Sequence, residues 1–120
     1  MKGIKKTLEC RQGKTFIHAF RLKSADGNII ELPGFSAFMH VRETIDSEDT
    51  VLELSTDNGG IVIDEDLGKV TLFISATDTA SLTVGNYIYD VELVSPDDVV
   101  YGPVIPSAFK VKPEVTRMVV

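Results

Sequence analysis

Residues 70–94 have the sequence VTLFISATDTASLTVGNYIYDVELV, and this stretch decides the fold class. Its two ends, residues 70–74 and 87–94, are rich in β-branched and aromatic side chains, and residues 87–94 alternate along one face, as in a strand. The middle, residues 77–82, lacks that alternation and starts with residues that cap helices well, so it is predicted to form one helical turn. The stretch therefore predicts two strands joined by a short helical crossing.

The corner at Gly85-Asn-Tyr87 makes this prediction more specific. In immunoglobulin-like sandwiches, a Tyr hydroxyl at the corner into the sixth strand bonds back to the backbone upstream. Tyr87 is the candidate for this tyrosine corner, and Asp78 is the candidate start of the crossing. The alternative is that Tyr87 is an ordinary half-buried strand aromatic, and the pattern leaves both open. The chain has no Trp and one Cys, so it lacks the framework of antibody domains.

Short alternating runs separated by turn residues make up most of the remaining chain. The runs are residues 14–23, 35–42, 51–54, 61–63, 99–101 and 108–112, with a brief extended piece at 29–32. Such spacing is typical of all-β sandwiches and barrels. We therefore predict an all-β, immunoglobulin-like antiparallel β-sandwich in one domain over residues 1–120. Residues 113–120 are expected to form a tail, and its apolar end, Met118-Val-Val120, either docks on a neighbour or frays.

The charge of the chain is negative overall but unevenly distributed. The net charge is −6, which argues against nucleic acid as a partner. Residues 1–23 hold seven of the twelve Lys and Arg residues and one acid, whereas residues 43–66 hold nine of the eighteen acids. Two interpretations fit: two solvated faces that keep the protein soluble, or head-to-tail docking of the basic end of one copy on the acidic flank of the next.

No recognised catalytic or metal-binding pattern occurs in the sequence. Cys10 stands alone, and His18 and His40 lie inside strand patterns, so zinc is not expected. The acidic turns at residues 64–66 and 97–98 do not match a calcium loop. We expect no enzyme activity and no cofactor. No apolar run is long enough for a secretory leader or a membrane span, so we expect synthesis in a cytoplasm and no membrane insertion.

Large apolar residues at outward positions are the better functional signal. If Met39, Leu72 and Tyr89 face the core, the strand period sends Phe38, Phe73 and Ile88 to the opposite side. Large apolar residues at such positions mark a contact surface. The alternative is that a loop covers this face of the strands, which would also make both faces apolar. Tyr101, beside Gly102-Pro103, is the one candidate for an exposed loop aromatic. These four residues are the interface candidates.

A resemblance covers about three quarters of the chain. Its blocks are residues 34–42, 54–64, 68–72, 76–82, 85–95 and 113–117, in that order. From Gly27 to Arg117 the chain resembles small proteins of tailed phages and prophages that are similar to the amino-terminal domain of the siphophage baseplate upper protein. The resemblance implies a non-enzymatic structural protein of the virion, near the tail, baseplate or neck, that assembles with other virion proteins and with itself. The alternative hypothesis is a β-sandwich module that binds carbohydrate or a host surface.

Overall fold

A computed structural model of the protein describes residues 2–117. These residues form eight strands and one short helix, divided between two sheets. In chain order the elements are β1 (Leu8–Arg11), β2 (Phe16–Arg21), β3 (Ser36–Arg42), β4 (Leu52–Ser55), β5 (Ile61–Asp64), β6 (Lys69–Ile74), α1 (Ala76–Ser81), β7 (Gly85–Val94) and β8 (Val100–Lys112).

The strand order is that of an immunoglobulin-like sandwich. The larger sheet has the order β1-β8-β7-β3-β4, and the smaller sheet has the order β2-β6-β5. In immunoglobulin letters, β2, β6 and β5 are strands B, E and D, and they face strands G, F, C and C′. The predicted all-β, immunoglobulin-like fold is therefore confirmed. The strand pairs are antiparallel except β1–β8, in which Leu8 lies beside Phe109 and both strands run in the same direction.

The core lies between the two sheets, where the inward residues of the alternating strands meet. In β3, Ala37, Met39 and Val41 are buried, and the residues between them face outward. The inward residues of β6 are buried in the same way. Phe109 of β8 is fully buried, and its ring contacts those of Phe16 and Tyr89 edge-on at 6.0 Å between centroids. Such edge-on contacts add to the apolar burial that stabilises the sandwich.

The helical crossing forms close to where the sequence predicted it, but it begins two residues before Asp78, the predicted start. Residues 77–82 were predicted to be helical, and α1 spans Ala76–Ser81. The Ser75 side chain caps α1 by accepting a hydrogen bond from the Asp78 backbone N–H at 3.1 Å. Thr79 is buried, and its hydroxyl donates to the Lys14 carbonyl at 2.8 Å. The helix therefore ties the turn between β1 and β2 to the start of β7.

Strand β8 differs from the prediction. Residues 99–101 and 108–112 were expected to be separate strands with a loop between them, but Val100–Lys112 is one strand. Its register against β7 shifts by one residue at two places, and Pro103 and Pro106 lie in these shifts. Proline lacks the N–H that a regular ladder needs, so it is tolerated at such bulges. Tyr101 therefore lies in a strand and not in a loop.

Both ends of the described chain are attached to the sandwich. Strand β1, which the sequence did not predict, follows an arm of residues 2–7 that runs beside β8, where the Ile4 N–H donates to the Pro103 carbonyl at 3.0 Å. Residues 113–117 leave the sheet, but Arg11 donates to the Pro113 carbonyl at 2.9 Å and Lys14 forms a 2.9 Å ion pair with Glu114. Met118-Val-Val120 lies outside the described residues.

The brief extended piece predicted at residues 29–32 is not a strand. Only Ile29 makes a single bridge, to Lys23. Leu32 is nevertheless fully buried, and its N–H donates to the Glu65 carbonyl at 3.0 Å. Residues 29–32 therefore cross the end of the sandwich as a covering segment whose apolar residue joins the core.

Candidate interaction surfaces

Two of the four interface candidates, Phe38 and Ile88, lie on the outer face of the larger sheet. They line a shallow depression of about 240 Å³, together with Ile45 from the β3–β4 loop and Pro106 from β8. Phe38 lies opposite Glu92, and Ile88 lies opposite Arg42 on the neighbouring strand. We call this depression the front pocket. It combines apolar walls with charged groups at both ends.

A row of charged and polar side chains crosses the front pocket. His40 and Asp90 lie directly opposite each other on β3 and β7. The His40 Nε2 atom is 3.4 Å from a carboxylate oxygen of Glu53, and its Nδ1 atom is 3.3 Å from the Arg42 guanidinium. Arg42 also donates to the Glu48 carbonyl at 2.7 Å, which fixes the β3–β4 loop beside the pocket. The rim of the pocket is therefore polar, and its charged side chains contact one another and the β3–β4 loop.

Phe73 lies on the opposite side of the molecule from Phe38 and Ile88. Its side chain is 41% exposed on the outer face of the smaller sheet. Ile17 of β2, which is 64% exposed, lies directly opposite Phe73 in the β2–β6 ladder, and Val62 of β5 is 59% exposed. Together, Ile17, Val62 and Phe73 form an exposed apolar group spanning three strands, which we call the back patch. The fold therefore gives the outward candidates two faces.

Tyr101 and Tyr87 are both half-buried and pack against the core. The Tyr101 ring lies 6.2 Å from that of Phe35, so part of its surface is covered. The Tyr87 hydroxyl donates to the Thr83 carbonyl, four residues upstream, at 2.5 Å. This contact joins the residues after α1 to the beginning of β7, as a tyrosine corner does. Burial, with smaller effects from Glu43 and Cys10, raises the pKa of Tyr87 above its ordinary value.

Opposite charges occupy opposite edges of the larger sheet. The arm, β1 and the β1–β2 turn carry five exposed cations and one acid within residues 2–14, and β1 is one edge strand. Residues 43–57 carry six exposed acids and no Lys or Arg, and they include β4, the other edge strand. We call these the basic edge and the acidic edge. Four strand spacings, roughly 19 Å, separate them. That distance is about two Debye lengths at physiological salt, so the edges do not neutralise each other.

The backbone of β4 is blocked against added strands by a side chain. The Asn58 amide nitrogen donates to the Glu53 carbonyl at 3.0 Å, while its oxygen accepts from the Ser55 N–H at 2.9 Å and the Gly60 N–H at 2.9 Å. The first two are the contacts that a neighbouring strand would make. Asn58 therefore satisfies this edge, which is one way in which proteins avoid edge-to-edge aggregation.

Cys10 and the two histidines lie on three different strands. Cys10 is buried in β1, and burial followed by the effect of Glu9 raises the pKa of its thiol to about 11. His18 points toward the interior, while His40 faces outward on the other sheet. Within residues 2–117, no three His, Cys, Asp or Glu side chains are close enough together to hold a metal ion. No helix of that part of the chain is long and apolar enough to cross a membrane.

Sequence reasoning missed Ile17, Val62 and Asn58. The alternation of β2 and β5 does point Ile17 and Val62 outward, so the signal for the back patch was present. Nothing local marked Asn58, because it lies in an Asp-Asn-Gly-Gly turn and its contacts depend on where β4 lies.

The chain matches no protein-family model and no curated protein. Similar solved structures include murine CRIg, with 12% identity, a TM-score of 0.43, and cover of 91% of this chain and 92% of that one. Another is CopC from Methylosinus trichosporium OB3b, with 15% identity, a TM-score of 0.41, and cover of 84% and 100%. A third is the first immunoglobulin-like domain of human CD48, with 13% identity, a TM-score of 0.39, and cover of 100% and 92%. These scores are low, and the strand order of the two sheets is what shows the immunoglobulin-like fold.

Proposed function

We propose that this protein is a non-enzymatic assembly subunit of a tailed-phage virion. In this proposal it docks on other virion proteins near the tail, baseplate or neck, and on copies of itself. The sequence resemblance to small phage and prophage proteins supports the virion role. The separation of the basic edge from the acidic edge is the observation that supports assembly.

The charge separation favours a head-to-tail contact. A basic edge on one copy and an acidic edge on the next attract each other without any change in either surface. Such a contact uses two different patches, so it closes into a ring or continues as a chain of copies. Charge complementarity of this kind raises the rate of encounter and fixes the relative orientation of the partners.

The exposed apolar groups would supply the short-range part of the contact. The front pocket and the back patch lie on outer faces of the two sheets, where Ile17 and Phe73 are directly opposed. Covering such groups removes apolar surface from water, which stabilises the contact by about 25 cal/mol for each Å² buried. In the assembled particle, we expect at least one of these faces to lie against a neighbouring protein.

Immunogold labelling of purified particles from the source phage tests this function. An antibody raised against the folded protein should place gold at the tail end or neck. Particles without label, in a lysate that contains the free protein, would contradict a structural role in the virion. Particles stripped of tails serve as the control for non-specific labelling of the capsid.

A further inference from the structure

The flank of the sandwich beside β2 is incompletely covered. β2 is an edge strand of the smaller sheet, and among residues 2–117 no strand pairs with it on the side away from β6. Its inward residues, Phe16, His18 and Phe20, are only half-buried, whereas every second residue of the neighbouring β6 is buried. The first strand of the chain, β1, has joined the larger sheet instead. This leaves the gap that we call the open flank.

The free edge of β2 presents a regular row of backbone groups. The Leu22 N–H donates to the Gly68 carbonyl at 2.8 Å, in register with the β2–β6 ladder. Hydrogen bonds alternate along an antiparallel ladder, so the backbone groups of Ile17, Ala19 and Arg21 point away from β6. The side chains of these three residues are exposed. Unlike β4, whose edge Asn58 occupies, β2 has no such surrogate among the described hydrogen bonds.

An apolar cavity opens beside this edge. It has a volume of about 280 Å³ and lies between β2, the arm and the larger sheet. Its lining is formed by Ile4, Lys6, Leu8, His18, Ala19, Phe20, Leu72, Tyr89 and Val104. A cavity of roughly 150 Å³ is enough to hold benzene, so this one can accept a large aliphatic side chain.

The wall of the cavity formed by the arm is firmly anchored. The Tyr89 hydroxyl donates to the Lys6 carbonyl at 2.5 Å, and the Lys6 N–H donates to the Ser107 hydroxyl at 3.0 Å. The Ile105 N–H donates to the Ile4 carbonyl at 2.9 Å. The cavity is therefore preformed and would not need to be opened by a ligand. Preorganisation of this kind lowers the entropic cost of binding.

The charge around the open flank selects an acidic occupant. Both the arm and β2 belong to residues 2–23, which carry seven Lys and Arg residues against the single acid Glu9. Lys6 lines the cavity itself, and Arg21 projects from the free edge. An incoming segment with carboxylates beside its apolar residues would meet cations on both sides of the opening.

We propose that the open flank binds an extended, acidic segment of a partner protein, which adds to β2 as a new strand. Backbone groups of the segment pair with those of Ile17, Ala19 and Arg21, and one aliphatic side chain enters the cavity. This is strand addition, in which main-chain bonds supply affinity and a side-chain pocket supplies specificity. The inference rests on the proposed assembly function and names the site and the chemistry of the partner segment.

A synthetic peptide tests the site. The probe is acetyl-Glu-Val-Glu-Leu-Glu-Val-Glu-amide, titrated into the intact protein by calorimetry, with amide hydrogen exchange followed by NMR. We expect saturable binding and slowed exchange at Ile17, Ala19 and Arg21, whose N–H groups face the free edge. The amides of residues 16, 18 and 20 already face β6, so their exchange should change little. The same peptide with Lys in place of every Glu should bind about tenfold more weakly or worse.

Ala19→Pro and Ala19→Ser form the matched variants. Proline at position 19 removes an N–H that faces away from β6, so the β2–β6 ladder should stay intact. The added strand would lose its hydrogen bond to the N–H of residue 19 and would clash with the proline ring. Serine keeps the N–H and serves as the control. We expect Ala19→Pro to weaken peptide binding about tenfold or more, and Ala19→Ser to leave it nearly unchanged.

Several outcomes would overturn the inference. They are no binding at about 1 mM peptide, equal binding of the Lys peptide, or full binding by a folded Ala19→Pro variant. The failure of the site and the failure of the proposed function are distinguishable. Labelled phage particles without peptide binding would mean that assembly uses another surface. Peptide binding without labelled particles would retain the site and remove the virion role.

Discussion

At the scale of single residues, Tyr87 and Tyr89 show how neighbouring strand aromatics serve different contacts. Both rings pack against the core, and their hydroxyls donate to the backbone at Thr83 and Lys6 respectively. The first bond fixes the corner between α1 and β7, and the second holds the arm. The two hydroxyls therefore secure the entry to β7 and the amino-terminal edge of the larger sheet.

Removal of the Tyr87 hydroxyl should destabilise the fold. Tyr87→Phe keeps the ring and loses the bond to the Thr83 carbonyl, so we expect the free energy of unfolding to fall by about 1 kcal/mol. Urea denaturation measures this difference. Tyr101→Phe is the control, because the Tyr101 ring packs on Phe35 and no hydrogen bond of its hydroxyl is described. Equal losses in the two variants would contradict a special role for the corner.

The buried thiol and phenol should make the protein sensitive to alkali. Burial raises the pKa of Cys10 from 9.0 to about 11 and that of Tyr89 from 10.0 to about 12. The folded state therefore keeps protons that the unfolded state has lost. The stabilisation from Cys10 is complete below pH 9 and is lost as the pH rises through about 11.

A pH series of urea denaturation on the Cys10→Val variant tests this effect. Between pH 9 and 11, the free energy of unfolding of the wild-type protein should fall more steeply than that of the variant. The difference in slope can reach one proton, which corresponds to about 1.4 kcal/mol per pH unit. Parallel pH profiles would show that the thiol does not contribute.

At the scale of elements, β4 and β2 differ in whether the outward backbone groups of the strand have hydrogen-bond partners. Asn58 bonds to β4 at Glu53 and Ser55, whereas the outward backbone groups of β2 have no described partner. Both are edge strands, and the difference between their backbone edges lies in one turn residue. An edge that is covered resists adventitious pairing, and an edge that is left open is available to a partner.

The Asn58→Ala variant should expose the β4 edge. Loss of its hydrogen bonds should lower the free energy of unfolding by about 1–2 kcal/mol. The uncapped edge should also cause association that increases with protein concentration, which light scattering would detect. Asn86→Ala, at an exposed position on β7, is the matched control. A monomeric Asn58→Ala protein of unchanged stability would contradict the capping role.

The positions of the strands and the helix along the chain were easier to predict than the pairing of the strands. Alternation placed Met39, Leu72 and Tyr89 in the core, because that signal is local. Capping residues located α1 to within two residues, although the cap is Ser75 and not Asp78. The parallel pairing of β1 with β8 joins residues about a hundred positions apart, and a four-residue strand carries too little pattern to be recognised. Period 2 sent Phe38, Ile88 and Phe73 outward, but only the pairing of strands separates them onto two faces. The open flank depends on which sheet β1 joins, so local pattern could not predict it.

At the scale of the whole molecule, positive and negative charge are separated across the larger sheet, from its basic edge to its acidic edge. This charge separation sets the relative orientation of two copies that approach each other. The head-to-tail interpretation of the sequence remains a prediction, and the fold adds that β1 and β4 are the strands that would face each other. Contacts between them would extend the sheet sideways through side chains, since Asn58 occupies the β4 backbone.

Removing two charges from either edge should weaken self-association. We expect Lys5→Gln with Lys6→Gln, or Glu48→Gln with Asp49→Asn, to increase the fraction of monomer in sedimentation experiments at about 0.02 M salt. A mixture of the two variants should form dimers, because one intact basic edge can still meet one intact acidic edge. Wild-type association should weaken at about 0.5 M salt. Assemblies that are indifferent to salt and to both variants would exclude this contact.

The parallel pairing of β1 with β8 has a mechanical consequence. Because both strands run in the same direction, the chain enters at one end of the pair and leaves at the other, from Leu8 beside Phe109 to Arg11 beside Lys112. Tension applied through residues on either side of the pair therefore slides the strands along each other, so their hydrogen bonds bear the load together. In an antiparallel pair the two free ends lie side by side, so a pull applied to them would break the hydrogen bonds of the pair one at a time. Force spectroscopy with handles at the two ends should record a high rupture force, and a lower one when the pull is applied across β3 and β4.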